Sequence, residues 1–224
     1  MMTSAVNHYF CSSIGRKQLV AITGLALCGF LVGHLSGNFL LLVGPDTFNL
    51  YGHKLVSLGA GLYVIEAGLA LTFLVHLGLA FKITLENYRA RGKYTVKKRT
   101  GRGTTIMSAT MPYTGLILLV FLILHLLNLK FGADYKTTVG GEEMRDLYRL
   151  TMEYFQSPLN VFWYVFAMLA AAMHTAHGFA SAFQSLGLNH GKYYPKIKAI
   201  SYLYAFFIGG GFAFLAVWAY LKGV

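Results

Sequence analysis

Charge is what this chain has least of. Only 12% of its 224 residues are Asp, Glu, Lys or Arg, against about a quarter in a soluble domain. With 56% hydrophobic residues and a mean hydropathy of +0.54, that shortfall excludes an ordinary soluble domain and points to the membrane class. Acids are scarcer still, eight against nineteen basic residues, for a net charge of +11. Such a balance can mark a nucleic-acid binder. Here the basic residues sit in loops between apolar runs, so a membrane face explains them and no nucleic-acid partner is expected. Cysteine is nearly absent. Cys11 and Cys28 are poorly placed to pair, and no Cys-x-x-Cys-His run exists for covalent attachment of a prosthetic group. No low-complexity segment is present. No small-residue cleavage site follows the first apolar stretch, so the N-terminal segment is expected to be mature sequence and not a signal peptide.

What is abundant is apolar sequence in long runs. A membrane span needs roughly 20 apolar residues. Five stretches qualify, at about 18–43, 57–81, 106–129, 158–183 and 200–220. The chain therefore reads as one all-α transmembrane domain, 1–224, with five helices. Charge then orients it. With the N-terminus inside, thirteen of the nineteen basic residues fall on inner segments and six of the eight acids on outer ones. The positive-inside rule gives a cytoplasmic N-terminus and an outer C-terminus. The inner loop after span 2, with Arg91, Lys93, Lys97, Lys98, Arg99 and Arg102, is basic enough to dock a soluble partner or anionic lipid, and is equally explained as a topology signal. In the outer loop 130–157, Met144, Leu147, Leu150, Tyr154 and Phe155 recur at helical spacing and predict a short amphipathic helix near 141–155.

Of eight histidines, His8, His53 and His190 fall outside the spans or at their edges and receive no role. The rest are His34 in span 1, His76 in span 2, His125 in span 3, and His174 with His177 in span 4. Polar groups inside the hydrocarbon layer are costly and tend to be functional. A single one is more often a core residue bonded to a carbonyl. Four helices each carrying one is another matter. Spans 1 and 3 run outward, and His34 and His125 lie 9 and 4 residues before their outer ends. Spans 2 and 4 run inward, and His76 and His174 lie 5 and 9 residues before their inner ends. Two level pairs result, His34 with His125 and His76 with His174. Two imidazoles from facing helices are what a six-coordinate haem iron needs. Two non-covalent b-type haems at two depths would pass electrons across the bilayer.

Spans 1 and 3 also repeat each other. Thr23-Gly24-Leu25, Leu27, Phe30-Leu31 and His34-Leu35 match Thr114-Gly115-Leu116, Leu118, Phe121-Leu122 and His125-Leu126 position for position. Small residues permit close approach of a helix or a flat ring, so Gly24 and Gly115 are expected to face a shared haem pocket. His177 lies three residues after His174, on broadly the same face. Depth alone does not choose between them. The one that does not bind iron is expected to meet a haem propionate or a quinone. Ser12, Ser13, Arg16 and Lys17 at the inner end of span 1, and Ser181 and Gln184 in span 4, are further candidates for propionate contacts, although plain interface anchoring explains Arg16 and Lys17 nearly as well. Glu66 is the only carboxylate within a span. It is the candidate for quinone or proton chemistry, on the expectation that it is buried.

These residues resemble the cytochrome b membrane anchor of succinate dehydrogenase and fumarate reductase, the respiratory complex II family, in its single-anchor, two-haem form. The likeness covers nearly the whole chain. It rests on the run from Phe10 to Lys17, on His34-Leu35-Ser36-Gly37-Asn38, on His125-Leu126-Leu127-Asn128, and most specifically on the run from His174 through His177-Gly178 to Gln184. The resemblance implies that His34, His76, His125 and His174 are the iron ligands. His174 is preferred to His177 because Gly178 follows it by four residues. It implies a flavoprotein subunit with FAD and an iron–sulfur subunit as partners on the cytoplasmic face. Succinate and fumarate would react there and not on this chain, which would exchange electrons with quinone, menaquinone given the two-haem type. The location implied is the cytoplasmic (inner) membrane of a bacterium or archaeon. One departure is Ala172, where some members carry a glutamate used for proton transfer. The alternative readings are a two-haem cytochrome b serving a hydrogenase or formate dehydrogenase, and a transporter or structural anchor without haem.

Overall fold

The structure, a computed structural model, describes residues 12–90 and 106–223. The basic residues 91–102 of the loop after span 2, together with Phe10 and Cys11, lie outside the described residues. Five helices are long and apolar enough to cross a membrane. These are α1 (Ser13–Asn38, continued as a 3-10 turn Phe39–Leu42), α3 (Ala60–Ala90), α4 (Ile106–His125, continued as a π turn Leu126–Lys130), α6 (Pro158–Ser185) and α7 (Tyr194–Lys222). Each span is longer than read from hydropathy alone. Polar and charged ends such as Glu86 and Arg89 on α3 continue the helix past the apolar run.

The end of the bundle where α1 begins is called here the near end, and the opposite one the far end. The closely packed helix pairs are α6–α7, α4–α6, α1–α3 and α1–α6. Small residues bring the central ones together. α6 buries Ala167, Ala170, Ala171, Ala176, Ala180 and Ala182. A Cβ on Gly209 of α7 would lie 2.7 Å from the Ala172 Cβ, so that crossing requires glycine. α3 sits on α1 and α4 sits on α6, while α3 and α4 are not among the closely packed pairs. No residue of α3 is buried. A helix this apolar and this uncovered belongs in lipid, where apolar exposure carries no hydration cost.

The far end carries a lid. Gly44 at φ +139° turns the chain into α2 (Pro45–Val56), whose Pro45 and Asp46 suit a helix start. Strands β1 (Lys136–Val139) and β2 (Glu142–Arg145) form an antiparallel hairpin, followed by α5 (Leu147–Phe155). The amphipathic helix expected near 141–155 is thus shorter. Gly140 and Gly141, at φ +61° and +88°, make a hairpin turn, and Asp146 caps α5 by accepting from Arg149 N at 3.0 Å. Asn49, buried on α2, locks the lid together. It donates to Asp146 Oδ1 and accepts from Tyr148 N, both at 2.9 Å. On α5, Arg149 bonds Glu153 at 2.7 Å and holds that carboxyl below the usual carboxylate range. Leu41, Phe48, Met152, Phe155, Tyr164, Ala216 and Ala219 form the core beneath the lid.

Candidate functional site

The four span histidines form two sets, one toward each end. Toward the far end, the rings of His34 on α1 and His125 on α4 have centroids 5.8 Å apart and planes at 89°. Each stacks on the phenylalanine one turn before it, Phe30 at 5.3 Å and Phe121 at 5.5 Å, and Phe212 of α7 closes on His34 at 5.5 Å. His125 Nδ1 lies 2.9 Å from the Tyr164 hydroxyl. Tyr164 is buried against Phe155 of the lid, ring centroids 4.8 Å apart. Just beyond His125 the π turn leaves carbonyls unpaired. The Arg145 guanidinium, on β2, donates to Leu129, Lys130, Gly132 and Ala133 O at 2.8–3.3 Å. The lid therefore fixes the helix that carries His125.

Toward the near end, His76 of α3 and His174 of α6 lie within electrostatic reach of each other. Each is held by the helix it leans on. Thr23 Oγ1 donates its proton to Leu19 O at 2.7 Å, and His76 Nδ1 lies 3.2 Å from that hydroxyl oxygen and 3.2 Å from Val20 O. With its proton already committed, the hydroxyl accepts from Nδ1–H. Thr114 repeats the arrangement. Its hydroxyl donates to Met111 O at 3.1 Å, and His174 Nδ1 lies 3.1 Å from the same oxygen. His76 Nδ1, which also faces the Val20 carbonyl, must donate, and this leaves the lone pair on Nε2, the form that binds a metal; Thr114 offers His174 a similar arrangement. Gly24 and Gly115 make room for the same rings: a Cβ there would lie 3.1 Å from His76 Cε1 and 3.5 Å from His174 Cε1. The Thr-Gly repeat of spans 1 and 3 was expected to face a shared haem pocket. It receives the histidines of the neighbouring helices.

His34 differs. Its Nδ1 faces the Asn38 amide nitrogen at 3.4 Å, and that amide also donates to His34 O at 2.7 Å. Across all four histidines, Nδ1 meets a polar partner, and among the described residues Nε2 makes no hydrogen bond. All four rings are only half-buried although they sit well inside spans.

Could such a set hold a metal group? Among the described residues no three His, Cys, Asp or Glu side chains converge on one point. Two imidazoles alone are a poor metal site and become complete only with a planar four-nitrogen ring between them. Two rings on opposite sides of one metal, with metal–nitrogen bonds of about 2 Å, have centroids about 6 Å apart. His34 and His125, at 5.8 Å, have that spacing. His34 and His125 are thus spaced as two histidines holding one haem iron would be.

The remaining candidates are placed differently from expectation. Glu66 is not a buried acid. Its side chain is 35% exposed and pairs with Lys130, five residues beyond His125. Sequence hid this pair because the two residues lie on different helices, far apart in the chain. Arg16 bonds Glu86 at 2.5 Å and is already neutralised. Ser12 caps α1, accepting from Gly15 N at 3.0 Å, and Ser13 and Lys17 are exposed. Ser181 is half-buried on α6. His177 and Gln184 share a separate cavity with α7 residues, away from α1 and α3. His53, given no role, lies 3.6 Å from Glu142 of the lid. Tyr164 and Arg145 were not legible as site residues, because their partners are 39 and 12 to 16 positions away. Thr23, Thr114 and Asn38 stood in the quoted motifs without a role. Compared with known family models, with characterised proteins and with solved structures, the chain matches none.

Proposed function

We propose that this chain is the two-haem cytochrome b membrane anchor of a succinate:quinone oxidoreductase, the electron-transfer subunit between an iron–sulfur partner and membrane quinone. The observation that carries the haem part is the threonine anchoring of His76 and His174 at one level, with the His34 and His125 rings 5.8 Å apart at the other. The complex II part rests on the sequence resemblance.

In this reading His34 and His125 hold the iron of one haem, and His76 and His174 that of the other. The bound groups would supply reversible one-electron chemistry. The protein's part is positional. Thr23 and Thr114 would hold the near-end histidines by Nδ1 and leave Nε2 to the metal. Tyr164 orients His125, and the phenylalanines stacked on His34 and His125 keep water from the far-end site. Glu66, bridged to Lys130 beside the His125 end of α4, is the carboxylate for proton exchange with quinone at that level. Succinate and fumarate chemistry, FAD and the iron–sulfur clusters belong to partner subunits, which bind the face of the N-terminus. With that face cytoplasmic, the anchor sits in a bacterial or archaeal inner membrane.

The test is a reduced-minus-oxidised spectrum of the purified chain with a haem-to-protein ratio. A b-type α band and two haems per chain support the reading, and no α band removes it. Partners lacking flavin and iron–sulfur on co-purification would replace succinate:quinone oxidoreductase by another dehydrogenase. Glu66→Gln is expected to slow quinone turnover with both haems retained. Unchanged turnover would leave the Lys130 pair a packing contact.

A further inference from the structure

A second site lies outside the four-histidine interior. At the near end, α4, α6 and α7 enclose a cavity of about 240 Å³ lined by Met107, His177, Gln184, Tyr194, Lys198 and Tyr202 among others. No residue of α1 or α3 lines it. Its polar atoms are nearly all potential donors: an imidazole, an ammonium, a carboxamide and two phenols. The Tyr194 hydroxyl lies 3.4 Å from Gln184 Oε1, which leaves the amide NH₂ of Gln184 to donate elsewhere.

The cavity has positive charge and no acid to balance it. Of the eight acids in the sequence, Glu86 alone belongs to the near end, and Arg16 takes it. The segments 1–11 and 91–105 contain none. Lys198 therefore has no carboxylate within the chain to neutralise it at this end, and His177 faces it electrostatically. Along α7 the residues one and two turns further into the membrane are Tyr202 and Phe206, 43% and 71% exposed. Lys198, Tyr202 and Phe206 thus form a stripe that runs from cation through phenol to bare hydrocarbon. An occupant matching it has an oxyanion at the interface and an apolar tail below.

We infer that this cavity binds the phosphate headgroup of an anionic phospholipid, with Lys198 and His177 as donors and the acyl chain laid along Tyr202 and Phe206. Charge-assisted hydrogen bonds to phosphate oxygens are the strong ones, and juxtamembrane cations favour anionic lipid. The volume suits a headgroup, being below the range usual for a whole drug-sized ligand. This site does not depend on the haem reading.

The test uses the full chain in nanodiscs of phosphatidylglycerol with phosphatidylcholine, extracted into mild detergent, with retained lipid counted by native mass spectrometry. Wild-type chain is expected to keep phosphatidylglycerol and shed phosphatidylcholine. Lys198→Gln should weaken retention about tenfold, and His177→Gln by less. Lys198→Arg should restore it. Lys192→Gln, at the same end but not lining the cavity, should leave it unchanged. Equal retention in wild type and Lys198→Gln overturns the site. Displacement by inorganic phosphate at equal concentration shows a free-anion site and overturns the lipid assignment. Displacement by a short-chain quinone with no effect of Lys198→Gln overturns it in favour of a quinone site.

Discussion

The two histidine sets are built by different means. The near-end imidazoles are held from within the bundle. Thr23 holds His76 and Thr114 holds His174, each hydroxyl having first given its proton to its own helix. The far-end imidazoles sit where the bundle meets the lid. His125 depends on Tyr164, which the lid buries, and on a π turn whose carbonyls Arg145 collects. His34 has only the Asn38 amide one turn on, with the nitrogen facing it. For His34 to bind metal through Nε2, that amide must turn its oxygen toward Nδ1. The near-end set is therefore held by contacts between spans, while the far-end set also leans on the lid. The same pair of helices, α1 and α4, serves both sets. Each offers a Thr-Gly step to a neighbour's histidine at one level and its own histidine at the other.

Replacing ligands gives the largest effect that can break this comparison. His125→Ala is expected to abolish the far-end haem and keep the near-end one, and His174→Ala the reverse, read as haem per protein after extraction. His177→Ala should keep both. Loss of the near-end haem in His125→Ala would show that the sets are not independent. Arg145→Ala comes next. It strips donors from the carbonyls after His125, at about 1.5–3 kcal/mol for a hydrogen bond to a charged group. The far-end haem should then dissociate more readily while the near-end one stays. An equal effect on both would mean that the lid supports the whole bundle. Thr114→Val keeps the shape and removes the acceptor. It is expected to weaken near-end haem retention by about 10–100-fold and to shift the midpoint potential of that haem alone. The smallest effect separates two glycines. Gly24→Ala puts a Cβ at 3.1 Å from His76 Cε1 and should perturb the near-end spectrum, whereas Gly115→Ala at 3.5 Å is in ordinary contact and should be silent. If Gly115→Ala is the more disruptive, the two helices do not present matching cradles.

The spans, their number and the four histidines were legible from sequence because they are local facts. A membrane helix satisfies its own backbone and announces itself as an apolar run, and a histidine within such a run is conspicuous by cost. The repeat in spans 1 and 3 was equally visible, but its meaning was not. Thr23 and His76 are 53 residues apart, as Thr114 and His174 are 60 apart, and nothing in either segment names its partner. Glu66 shows the same limit. Its type and depth could be read, but not its pairing with Lys130 at the surface of the bundle. The lid was only partly legible. Its helix α5 has helical spacing, while the hairpin beside it is set by Gly140 and Gly141, whose positive φ turns a short polar stretch back on itself.

What the sequence by itself determined is an all-α chain with five membrane-length helices, four of which carry histidine within the span. What only the tertiary structure decided is which atom each histidine turns toward its surroundings. That choice is made by hydroxyls, an amide and a phenol on other turns and other helices. For His76 that partner is a carbonyl and a hydroxyl of another helix, which take the proton of Nδ1 and so leave the lone pair on Nε2.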